Sequence, residues 1–204
     1  MRKVLVLFAH PAHRHSVVNN AMGKVAQGLD NVTFADLYGE YPRMKIDIDR
    51  EQVRLAEHDA LVFQFPLMWY STPSILKEWQ DLVLEYGYAY GEGGDRLKDM
   101  PFLPVVSAGG PQTAYHPDGF NNFDLRTFLA PLEQTANLCK MRFVPPFVLF
   151  GALKAPGDTR LETHLGAYRD LLIALRDETF DFDKTSEMDE LAHDRLPIRK
   201  GARR

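Results

Sequence analysis

The sequence predicts an α/β protein: a parallel sheet of five strands sandwiched between two layers of helices. Three observations carry that prediction. Short, unbroken apolar runs recur along the chain, as strands buried on both faces require. Between them, apolar residues fall at three- and four-residue spacing, which places them on one face of a helix. The two kinds of segment alternate from the start, the order expected when helices cover both faces of a parallel sheet. With 204 residues the chain can bury roughly 70% of its unfolded surface and needs only one core.

The elements follow in order. Val4 to Ala9 is the first strand. Ser16 then caps a helix whose stripe is Val17, Val18, Ala21, Met22, Val25, Ala26 and Leu29. Val32 to Ala35 reads as the second strand, and a weaker helix follows at about Asp49 to Glu57. Ala60 to Phe65 is the third strand. Thr72-Pro73 opens the next helix, with proline at its first position and Ile75, Leu76, Trp79, Leu82, Val83 and Tyr86 on its apolar face. Phe102 to Val106 is the fourth strand. Leu125 to Leu138 is helical in pattern, and Pro131 within it should start a new turn or kink the helix. Phe143 to Phe150 is the fifth strand despite two prolines. Thr159 and Glu162 form a capping box for a last helix that carries Leu161, Leu165, Tyr168, Leu171, Leu172 and Leu175.

This divides the chain into a folded domain over residues 1–178 and a charged tail over 179–204. In the tail an acidic stretch (Asp181, Asp183, Glu187, Asp189, Glu190) gives way to a basic end (Arg195, Arg199, Lys200, Arg203, Arg204). A solvated, partly disordered terminus is the plain reading of the tail; contact with a membrane surface or a partner is the sharper one.

Composition removes several classes of function. Hydrophobic residues are 45% and charged ones 25%, the balance of an ordinary globular protein. The net charge of -4 leaves no overall basic field to draw nucleic acid. The single cysteine, Cys139, permits neither an internal disulfide nor a Cys-x-x-Cys site. No apolar run reaches the length of a membrane span, and the first run is too short for a signal peptide. The expectation is a cytoplasmic protein.

Ligands of open parallel sheets bind beyond the carboxyl ends of the strands, where strand order reverses. In the order 2-1-3-4-5, strands one, three and four lie side by side, so the loops leaving them should meet. Those loops are also the most unusual in the chain. The first runs from His10 to Ser16 and ends at a helix N-terminus, whose unpaired N–H groups suit an anion such as phosphate. Simple capping by Ser16 is the alternative. Its three histidines, His10, His13 and His15, come without a carboxylate or thiolate and match no zinc spacing, so no metal site is expected. The second loop, Pro66-Leu67-Met68-Trp69-Tyr70, puts aromatic groups at the tip of a buried strand. They would wall an aromatic ligand or be covered by another chain. The third, Ser107 to Tyr115, pairs Gly109 with Gly110, which serve either close backbone approach or a tight turn. No Gly-x-Ser-x-Gly, P-loop or Gly-x-Gly-x-x-Gly turn is present. An anion pocket, an aromatic slot and a backbone rim suit flavin mononucleotide (FMN) better than a hydrolase substrate.

Ala9-His10-Pro11, Ser16-Val17-Val18-Asn19, Asp36-Leu37-Tyr38, Phe65 to Tyr70, Leu76 to Trp79, Ser107 to Tyr115 and Leu138 to Met141 occur in an order that resembles the flavodoxin-like NAD(P)H:quinone oxidoreductases. Within them the chain is most similar to the bacterial ancillary proteins of glutathione-regulated potassium-efflux systems. The resemblance implies a flavodoxin-like sandwich, noncovalent FMN, and two-electron ping-pong transfer from NAD(P)H through flavin to a quinone. It also implies a homodimer with its site at the subunit interface. By that analogy His10 and Ser16, Val17, Val18 and Asn19 would hold the phosphate, and Pro66, Leu67, Met68 and Trp69 would face the ring, with Tyr70 beside them. Ser107, Ala108, Gly109 and Gly110 would line the pyrimidine side. Tyr115 would also bind the cofactor, near the flavin oxygen, and with His116 is a catalytic candidate. The sequence departs from the family where paired threonines become Ser107 and Ala108, and where a histidine follows Tyr115 directly. A regulatory subunit of a potassium-efflux transporter, peripheral at the inner membrane face, is the competing expectation. A one-electron flavodoxin carrier ranks below both, because such carriers are usually far more acidic.

Overall fold

The structure, a computed structural model, describes residues 1–12 and 15–199. Its sheet is wholly parallel in the order β2-β1-β3-β4-β5, with β6 also on β4. The strands are β1 Val4–Phe8, β2 Val32–Asp36, β3 Ala60–Pro66, β4 Pro101–Ser107, β5 Arg142–Phe143 and β6 Phe147–Leu149. The expected order is therefore the observed one. The expected fifth strand divides in two. Pro145 and Pro146 have no N–H to give the ladder, so β5 pairs with the start of β4 (Phe102 beside Phe143) and β6 with its end (Val105 beside Phe147).

Pleating sends alternate residues to opposite faces. Leu5, Leu7, Leu61 and Phe63 join one core with α2 (Leu37–Glu40), α3 (Ile48–Ala56), α4 (Ser74–Val83) and α6 (Ala130–Leu138). Val4, Val6, Val62 and Val105 join the other with α1 (Val17–Gln27) and α7 (Arg160–Arg176). The short α5 (Leu125–Phe128) precedes α6, so Pro131 does open a new helix.

Three local expectations are corrected. Pro73 is the N-cap of α4 rather than its first residue, and Tyr86 lies beyond the helix, exposed. Thr159 adopts a helical conformation with no side-chain cap bond; Asp158 accepts from the Arg160 N–H at 2.9 Å instead, so the capping box does not form. As far as Arg199, the segment after α7 is docked on the domain rather than free. Phe180 and Leu191 are buried, the Leu191 N–H donates to the Pro146 carbonyl at 2.8 Å, and Leu191 bridges Phe147. The segment thus covers the open edge of β6, a place where an uncovered strand invites association. Lys200, Arg203 and Arg204 lie outside the described residues, as do His13 and Arg14. Among the described residues no helix is long and apolar enough to cross a membrane.

Candidate active site

The first loop leaves β1 and turns into α1. The Ala12 N–H donates to His10 Nδ1 at 3.1 Å, which puts the proton of the neutral ring on Nε2. Ser16 caps α1, accepting from the Asn19 N–H at 3.2 Å. No acidic residue of its own first turn offsets the positive end of the helix dipole there. Val17 is exposed at this end. Val18 packs into the core, so it can offer a ligand only its backbone. Asn19 is buried too, its amide bonded to Ser16 and to Ser107.

The second loop is a tight two-residue turn. Met68 and Ser71 exchange two backbone bonds of 3.0 Å, and the residues between them, Trp69 (φ 49°) and Tyr70 (φ 63°), both sit in the left-handed region. Such a turn favours glycine or asparagine. Holding two bulky aromatics there costs about 1–2 kcal/mol per residue, strain of the kind that collects at functional sites. Trp69 is 94% exposed, so folding itself gains nothing from its ring. Tyr70 leans on Phe128, ring centroids 5.0 Å apart, and its hydroxyl donates to Asn121 Oδ1 at 3.3 Å. The base of the loop is fixed by the Leu67 N–H donating to the Ser107 carbonyl at 2.9 Å.

The third loop begins at buried Ser107 and Ala108. Ala108 is pinned on both sides, its N–H donating to Leu149 and its carbonyl accepting from Ala152, each at 2.9 Å. Neither Gly109 nor Gly110 has a positive φ, so a tight turn is not what calls for them. A Cβ on Gly110 would sit 3.3 Å from the Tyr115 ring and 3.7 Å from its hydroxyl. The bare backbone keeps open the space beside that hydroxyl. Burial raises the Tyr115 pKa, with the Gly110 N–H pulling the other way, so the phenol stays protonated and able to donate.

The second and third loops enclose a cleft of about 600 Å³ lined by Leu67, Trp69, Tyr70, Gly109, Gly110 and Tyr115, with Phe120 and Asn121 closing it. That volume is ordinary for a small-molecule site. Two exposed side chains, Phe120 and Leu153, make its surroundings apolar. His116 does not share the cleft with Tyr115. Its ring lines a larger neighbouring groove of about 1410 Å³, and Nδ1 accepts from the Asp118 N–H at 3.2 Å. Tyr115, by contrast, lines both spaces. Among the described residues no three potential metal ligands cluster.

Some contributors escape sequence reasoning. Phe120, Asn121 and Phe128 lie in or after an irregular stretch with no motif to flag them. Gln64, a fully buried amide inside an apolar strand, carried a signal: the one polar residue in that run needs a partner.

A family model described as "Flavodoxin-like fold" matches residues 2–172. The chain belongs to the flavodoxin-like family. It is 46% identical over 166 residues to the glutathione-regulated potassium-efflux system ancillary protein KefG of Cronobacter sakazakii, covering 81% of this chain and 90% of that protein. Among solved structures, the general stress protein 14 of Treponema denticola in complex with FMN is 36% identical. It superposes with a TM-score of 0.81 over 85% of this chain and 99% of its own. An NADPH-quinone reductase from P. pentosaceus is 27% identical, with a TM-score of 0.73 over 83% of this chain and 96% of its own.

This flavodoxin-like chain has the features an FMN would need. The α1 N-terminus, with no acidic residue in its first turn, follows β1, although no described residue of that loop lines the cleft, and two aromatic residues lining the cleft follow β3. A side-chain-free stretch of backbone follows β4, in the space that a Cβ on Gly110 would narrow.

Proposed function

We propose that the cleft holds FMN noncovalently and that the protein is an NAD(P)H:quinone oxidoreductase. The observation that carries this reading is the strained, exposed Trp69–Tyr70 turn facing bare glycine backbone across a cleft. When bound, FMN supplies a ring that takes a hydride from NAD(P)H and returns two electrons to a quinone. The protein's part is to bind and orient. Ser16 and the first N–H groups of α1, with His10, hold the phosphate. Trp69 and Tyr70 would flank the ring, and the backbone of Gly109 and Gly110, which line the cleft, would meet its polar edge. Tyr115 offers a proton-bearing hydroxyl where negative charge gathers. His116, in the adjoining groove, takes no part in this scheme. The apolar rim of Trp69, Phe120 and Leu153 suits cover by a second copy of the chain, so a homodimer completes the reading.

The test is turnover. Purified protein with FMN should oxidise NADH or NADPH in step with reduction of a soluble quinone; no quinone-dependent oxidation with either nucleotide sinks the assignment. A second reading is favoured by the 46% identity to KefG: an ancillary subunit that contacts a potassium-efflux transporter at the inner membrane face, with reductase activity secondary. Co-purification with such a transporter, or ion flux altered by added protein, supports that role whatever the turnover.

A further inference from the structure

We propose that Asn19 and Ser107 form a buried clip that sets the spacing between the phosphate-binding and ring-binding ends of the site, making both of them positioning residues. The inference rests on the FMN reading and assigns these two side chains a role other than touching the ligand.

Asn19 is 3% exposed and Ser107 4%. Asn19 Nδ2 donates to Ser16 Oγ and to Ser107 Oγ, each at 2.9 Å, and Ser107 Oγ lies 3.3 Å from Asn19 Oδ1, to which it can donate. Both amide hydrogens are therefore committed. The Asn19 carbonyl accepts from Gln64 Nε2 at 3.0 Å, and Gln64 Oε1 accepts from the Tyr168 hydroxyl at 3.0 Å. Gln64 and Tyr168 are completely buried. The chain of bonds joins α1, β3, β4 and α7 through an otherwise apolar interior, where every polar group must find a partner or cost stability.

Topology shows why a clip is needed. In the order β2-β1-β3-β4, strand β3 separates β1 from β4, so no ladder bond ties the loop after β1 to the loop after β4. The Asn19–Ser107 bond does so directly, across 88 positions of sequence. On one side it holds Ser16, the cap of the helix N-terminus. On the other it holds the residue that leads into Ala108-Gly109-Gly110. A ligand with a phosphate at one end and a ring at the other binds as two linked groups. Its affinity then depends on how well the two half-sites are held at the matching separation. Loosening the clip should weaken the linked ligand and leave each half-site's own affinity intact.

Fluorescence titrations with FMN and with riboflavin, which lacks the phosphate, read this out. The proteins compared are wild type, Ser107→Ala, Asn19→Ala, the double variant and Ser107→Thr. Ser107→Ala should weaken FMN about tenfold and riboflavin by less than about twofold. The double variant should be no worse than Asn19→Ala, because both remove the same bond. Ser107→Thr, which keeps the hydroxyl, should restore FMN affinity. Should Asn19→Ala fail to fold, Ser107→Ala and its threonine rescue decide the matter. Equal losses for FMN and riboflavin would make Ser107 a direct ring contact; additive losses, or no loss of FMN, would likewise overturn the clip. A wild-type protein that binds neither flavin would instead refute the FMN reading itself.

Discussion

His164 offers a quantitative test of how the second core is built. Its side chain is 3% exposed, stacks on Phe147 with ring centroids 4.2 Å apart, and leaves Nε2 without a hydrogen-bond partner. Burial, helped by the charge of His193, pushes its pKa down from 6.5 to about 4. The unfolded chain therefore takes up a proton near pH 6.5 that the native state refuses until about pH 4. Stability is complete above the higher value and falls as the pH drops through this window. A displacement of about two and a half pH units corresponds to about 3 kcal/mol in all, of which about 2 kcal/mol is lost by about pH 5. His164→Phe keeps a flat ring against Phe147 and removes both nitrogens. Urea unfolding of both proteins at about pH 7 and pH 5 isolates the effect, because carboxylate contributions are common to the two. The variant should lose about 2 kcal/mol less than wild type between those conditions. An identical loss in both would show that the imidazole titrates normally and is reached by solvent in the native state.

Three other perturbations probe the fold and the cleft. Glu51 is completely buried and accepts from the Tyr41 hydroxyl (2.6 Å), Trp79 Nε1 (2.9 Å) and Arg54 Nη1 (2.8 Å). Glu51→Ala strands the Tyr41 and Trp79 donors, while Arg54 keeps Glu40 at 2.6 Å, and should cost about 2–4 kcal/mol in urea unfolding; a loss under about 1 kcal/mol would contradict that network. Trp69→Gly removes a left-handed strain and should raise unfolding stability by about 1 kcal/mol. The same change should weaken FMN binding in a fluorescence titration, and unchanged affinity would take Trp69 out of the ring site. Tyr115→Phe should slow flavin reduction by NAD(P)H in stopped-flow more than it weakens FMN binding; equal reduction rates would deny the hydroxyl a role.

The sheet was legible because strands buried on both faces write themselves as continuous apolar runs, and their alternation with helices leaves few topologies. The fifth strand misled at its boundaries: Phe143 and Phe147–Leu149 have strand-like residues, but Pro145 and Pro146 withhold the N–H groups between them. The docking of the tail was illegible for a different reason. It hangs on isolated apolar anchors, Phe180 and Leu191, which make no periodic pattern. In the site, the meeting of the loops after β3 and β4 in one cleft followed from strand order, whereas no described residue of the loop after β1 lines that cleft. The strain at Trp69 and Tyr70 did not, since both residues disfavour the conformation they adopt. Nor did the Asn19–Ser107 bond, which joins residues far apart in sequence. His116 shows the limit of adjacency: it follows Tyr115 in the chain yet faces the neighbouring groove.

The central claim is that strand-end loops from three parts of the chain build one FMN site. The most direct measurement is a titration of flavin-free protein with FMN, followed by quenching of flavin fluorescence and by the visible spectrum. A saturable quench reaching a one-to-one ratio, with a shifted flavin band, is the predicted result. Unquenched fluorescence and a free-flavin spectrum at excess protein would contradict it.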